Sequence, residues 1–69
     1  MIAICVDSTD YEISLQRRKV YPVIEEADAE QDNYVRIIDE TGEDYLFPSS
    51  RFVLLAVTPD VEEAVLAEA

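Results

Sequence analysis

Ile2, Ile4 and Val6 place β-branched side chains at every second position, with Ala3 and Cys5 between them. A strand turns successive side chains to opposite faces, so this spacing predicts a first strand. Asp7-Ser8-Thr9-Asp10 ends it, because short polar side chains bond the nearby backbone and favour turns. Tyr11 to Arg18 has little periodicity and reads as a long loop with Ile13 and Leu15 tucked beneath it. Val20, Tyr21, Val23 and Ile24 gather around Pro22 in a second strand, Lys19 to Glu26, and the proline's missing amide points to an edge position or a bulge. The acidic run Glu25 to Asp32, broken by Ala27 and Ala29, is short and mixed in polarity and reads as a loop rather than a helical turn.

Tyr34-Val35-Arg36-Ile37-Ile38 is the next strand, and Tyr45-Leu46-Phe47 follows it across Asp39-Glu40-Thr41-Gly42-Glu43-Asp44. The chain's one glycine sits where a hairpin needs positive φ. Pro48-Ser49-Ser50-Arg51 fits a single 3₁₀ turn, and Phe52 to Val57 makes a last strand. Thr58 is placed as an N-cap and Pro59 as the first helical residue, with Asp60, Glu62 and Glu63 where the helix dipole favours negative charge. Val61, Ala64, Val65 and Ala67 recur at helical spacing, but so short a helix is marginal in water and must dock or fray.

Five short strands, one tight hairpin and one 3₁₀ break fit a small, strongly curved barrel better than a sandwich, which needs more strands. The 69 residues suffice for one domain, read as a barrel over 1–57 with a helical tail over 58–69. Met1 to Val6 is too short an apolar run for a secretory signal, and no run approaches the ~20 residues of a membrane span. One cysteine cannot form an internal disulfide and fits a reducing compartment, so the expected location is cytoplasmic.

Tyr45 to Val53 resembles the closing part of SH3 domains, where a strand, a proline-serine turn and an aromatic-valine pair lead into the last strand. The resemblance implies an SH3-like five-stranded small barrel, with Asp7 to Arg18 in place of the long RT loop and Thr41-Gly42 at the distal hairpin. The chain has no tryptophan and no Ala-Leu-Tyr-Asp-Tyr motif, which argues against proline-rich peptide recognition. Cys5-Val6-Asp7, Tyr11-Glu12, Lys19-Val20-Tyr21 and the run Asp39 to Pro48 also resemble a group of short, uncharacterised bacterial proteins with an Asp-Glu-x-Gly-Glu-Asp-Tyr-Leu-x-Pro hairpin. That second resemblance implies no activity.

Charge narrows the partners. Sixteen acidic residues against five basic ones give a formal net charge of -11, which repels phosphate backbones and anionic membranes. Arg17, Arg18 and Lys19 cluster in one loop and read as a solvated segment that offsets nearby carboxylates, with a small positive spot inside the negative field as the alternative. The absence of histidine removes the commonest general base and transition-metal ligand, and a lone mid-strand Cys5 reads as a packed, inert thiol. No catalytic residue, metal site or cofactor is therefore expected.

Asp39, Glu40, Glu43 and Asp44 surround the glycine turn and read as a solvated acidic turn, with docking of a basic partner as the functional alternative. Calcium binding of the EF-hand kind would need a longer ligand loop and flanking helices. Tyr11, Tyr21, Tyr34, Tyr45, Phe47 and Phe52 are more rings than so small a barrel can enclose. Period two puts Tyr45 and Phe47 on one face, either core or surface patch. The functional expectation is a protein-interaction module without catalysis, with Tyr11, Tyr21, Tyr45, Phe47 and Arg51 as its binding surface. The alternative is an acidic decoy or regulator occupying a basic protein surface. Val61, Val65 and Leu66 leave room for weak self-association through the helix.

Overall fold

The computed structural model describes residues 1–67, so the last two residues of the expected helical tail lie outside the described residues. Five strands, β1 (Ile2–Cys5), β2 (Val20–Ile24), β3 (Tyr34–Ile38), β4 (Asp44–Pro48) and β5 (Phe52–Leu55), form one antiparallel sheet in the order β4-β3-β2-β1-β5. Among the described residues two helices accompany it, α1 (Ala27–Gln31) and α2 (Pro59–Ala67). The fold is thus mostly β with a short C-terminal helix. The sheet is open rather than closed into a barrel: among the described residues β4 and β5 are its two edges, joined through the 3₁₀ turn Ser49–Arg51.

The central strand changes partner midway. Val20, Tyr21 and Pro22 pair with β1, whereas Val23 and Ile24 pair with β3. Pro22 therefore does not lie on an edge strand; it sits at the handover, where the ladder tolerates a residue that cannot donate.

The core is Ala3, Cys5, Leu15, Tyr21, Val35, Ile37, Phe47 and Phe52, with Tyr11 and Val23 packed against it. The first strand thus turns its small residues toward this cluster, which leaves space there for the rings. Ile2, pleated the other way, is buried as well, next to the Met1 ammonium that pairs with Glu62 of α2 at 3.0 Å. α2 packs against β2 and so docks, and its start is as the sequence indicates, with Thr58 Oγ1 accepting the Val61 N–H at 3.3 Å.

Three expectations need correction. Glu25 to Asp32 is not all loop, because α1 forms there, turning the buried Ala29 inward and packing against β3. Acidic residues in its first turn suit the dipole, and Asn33 leaves it at φ 63°, a left-handed exit that asparagine accepts. Ile13 is 89% exposed, while Leu15 is buried as expected. The last strand ends at Leu55, two residues early.

Candidate functional site

The loop between β1 and β2 is a built structure. Asp7 Oδ1 accepts the Thr9 N–H at 3.0 Å, Tyr11 N–H donates to the Ser8 carbonyl at 2.8 Å, and Leu15 N–H donates to the Tyr11 carbonyl at 2.8 Å. The last bond makes one helix-like turn that drives Leu15 into the core. Arg51 holds the loop from beneath, donating to the Thr9 carbonyl at 3.1 Å and pairing with Asp7 at 3.0 Å, while its guanidinium stands 5.5 Å from the Tyr11 ring centre. The Tyr11 ring meets Phe47 edge-on at 5.2 Å and 89°.

The β3–β4 hairpin closes on the other side. Gly42 N–H donates to the Asp39 carbonyl and Asp39 N–H to the Glu43 carbonyl, and Gly42 has φ 84°. These bonds describe a tight turn followed by a left-handed bulge residue. Glu40 N–H donates to the Ser14 carbonyl at 2.9 Å, which ties this hairpin to the loop. Between them lies a cleft of about 510 Å³, lined by Tyr11 and Ser14 from the loop and by Thr41, Glu43, Tyr45, Leu46 and Phe47 from the hairpin.

The five expected contact residues are separated by this arrangement. Tyr11 is half-buried on one cleft wall, and Tyr45 is 49% exposed on the other. Phe47 shares a face with Tyr45, but the Tyr11 ring covers it and makes it core. Arg51 lies behind Tyr11 rather than in the cleft. Tyr21 is not on the surface at all: it is core, and its hydroxyl accepts the Gln16 N–H at 2.7 Å and donates to Glu40 at 2.6 Å. Ser14, Thr41 and Leu46 join the site with no signal in the sequence, since only the tie between loop and hairpin brings them there.

The four carboxylates of the turn do not form one surface. Asp39 is buried as the turn's own brace, its Oδ1 accepting both the N–H and the hydroxyl of Thr41. Glu40 pairs with Lys19 at 2.7 Å. The Lys19 ammonium, helped by the Tyr21 hydroxyl, holds its carboxyl below the ordinary value. Burial, reinforced by Glu40, pushes the Tyr21 phenol up. Asp44 pairs with Arg36 at 3.0 Å, and Arg36 also reaches Glu26. Glu43 alone faces the cleft, accepting the Tyr45 hydroxyl at 2.6 Å and thereby raising that phenol's pKa.

Cys5 is buried, which pushes its thiol up and keeps it protonated near neutral pH. Among the described residues no helix is long and apolar enough to cross a membrane. Comparison of the chain with protein-family models, with curated proteins and with solved structures returns no match.

Proposed function

We propose that this chain is a small, acidic protein-interaction module that meets its partner at the Tyr11–Tyr45 cleft and performs no catalysis. One observation carries the reading: half-exposed Tyr45 and Leu46 border a depression floored by the buried Phe47, with polar Ser14, Thr41 and Glu43 around it. An aromatic anchor region inside a polar rim is the usual anatomy of a contact surface. A cytoplasmic setting and kinship with the short bacterial group belong to the same proposal. So does an SH3-like barrel, left partly open; the strand order and the shared central strand support it.

A second reading, the acidic decoy, draws on charge. Lys19, Arg36 and Arg51 are already ion-paired within the molecule, so a net charge of -11 dominates what a basic partner would meet.

Partner capture from the native host, with wild type and Tyr45→Ala washed in parallel at low and high salt, separates the two. A partner that survives high salt and is lost on Tyr45→Ala supports the cleft. One that ignores Tyr45→Ala but leaves at high salt supports the decoy.

A further inference from the structure

We infer that the cleft is a binding site for an arginine side chain presented by the partner, its guanidinium lying against the Tyr45 ring and paired with Glu43. This rests on the interaction-module reading and names the partner's chemistry.

The first argument is a pattern the molecule already uses. Behind the loop, Arg51 stands 5.5 Å from the Tyr11 ring centre and 3.0 Å from Asp7 Oδ2, so a tyrosine and a carboxylate hold one guanidinium between them. Tyr45 and Glu43 offer the same two groups to the cleft, fixed relative to each other by the 2.6 Å bond from the phenol. That bond engages Glu43 Oε2 and leaves Oε1 for a second donor. Among the described residues no lysine or arginine lines the cleft, so the molecule supplies no cation of its own there.

Guanidinium fits this pair better than ammonium. It is planar, it stacks on aromatic rings, it presents several donors to one carboxylate, and it sheds water more readily. A ring face attracts the cation through its quadrupole, and the chain's net charge of -11 raises the local concentration of basic segments. The cleft, about 510 Å³, is within the roughly 300–1,000 Å³ of ordinary ligand sites and exceeds one side chain. The half-exposed Leu46 at its lip suits the aliphatic stem of the arginine or an apolar neighbour.

The test is an amide-shift titration of the full chain with three peptides at physiological salt: acetyl-Gly-Ser-Arg-Ser-Gly-amide and its citrulline and lysine counterparts. The arginine peptide is expected to move the amides of Ser14 and of Thr41 to Phe47. Citrulline, which keeps the shape without the charge, should bind about tenfold more weakly, and lysine less tightly than arginine. Tyr45→Ala and Glu43→Gln, both surface changes whose unperturbed core amides would certify the fold, should each weaken the arginine peptide about fivefold or more.

Equal binding of citrulline or lysine at the same amides overturns the arginine assignment and leaves the module reading intact. Shifts spread over all acidic surfaces, unchanged by Tyr45→Ala, overturn it in favour of the decoy. No shift in the cleft, together with a captured partner that ignores Tyr45→Ala, overturns both.

Discussion

Ile13 and Leu15 are two residues apart in one loop and nearly equal in hydrophobicity, yet one is 89% exposed and the other 1%. Nothing in a short aperiodic stretch distinguishes them; the bond from Leu15 N–H to the Tyr11 carbonyl does, by coiling the chain once. Leu15→Ala should cost about 2–5 kcal/mol through the cavity it leaves, whereas Ile13→Ala should stay within about 0.5 kcal/mol, both read by urea unfolding. Equal effects would mean that the loop does not pack as described. Glu40 supplies the residue-scale pH dependence. Its carboxyl is held low by Lys19 and then Tyr21, so the unfolded chain binds the proton more readily than the folded one. The associated stability is fully present above the ordinary carboxylate value and is lost as pH falls through the lowered one. Glu40→Gln should therefore lose less stability than wild type on acidification across the carboxylate range, in urea midpoints taken at successive pH values.

Elements were legible where one signal sufficed. Alternation marked β1, proline and two serines marked the 3₁₀ turn, and threonine-proline marked the start of α2. α1 was not legible, because a helix of five residues that buries only Ala29 has no apolar stripe to show; its packing on β3 stabilises it. The hairpin turn was the clearest because a single glycine stood between two strand patterns. At Gly42 an added Cβ would meet nothing within 4 Å, so any cost of substitution is conformational. With φ at 84°, Gly42→Ala should destabilise by about 1–2 kcal/mol, and Gly42→Asn by clearly less, because asparagine accepts the left-handed region. Identical unfolding midpoints for the two variants would show that the left-handed backbone is not what the glycine provides.

At the scale of the whole molecule, the site was legible as a surplus of aromatics and acids but not as a place. Tyr11 and Tyr45 lie far apart in the chain and face one cleft only because the β1–β2 loop is tied to the hairpin, while Phe47, in the same strand as Tyr45, is covered by that same loop. Which rings are core and which are surface is decided by such long-range contacts, and period two alone cannot see them. Net charge, by contrast, is a global quantity that the sequence states outright. The molecule measures 30 × 26 × 19 Å, so at ~0.01 M salt, where the Debye length is ~30 Å, nearly all of its charges sense one another. Sixteen acidic residues against five basic ones then make self-repulsion outweigh attraction. The ion pairs that salt would weaken, Lys19–Glu40, Arg36 with Glu26 and Asp44, Arg51–Asp7 and Met1–Glu62, are partly exposed, and pairs of that kind contribute little to stability. Raising sodium chloride to ~0.15 M shortens the Debye length to ~8 Å, and relief of repulsion should exceed the loss of the pairs. The thermal midpoint should rise with salt at neutral pH, and rise less in acid, where the net negative charge is smaller. A midpoint that falls with salt at neutral pH would show instead that the paired cations, Lys19, Arg36, Arg51 and the Met1 ammonium, contribute more to the fold than the excess of acids takes away.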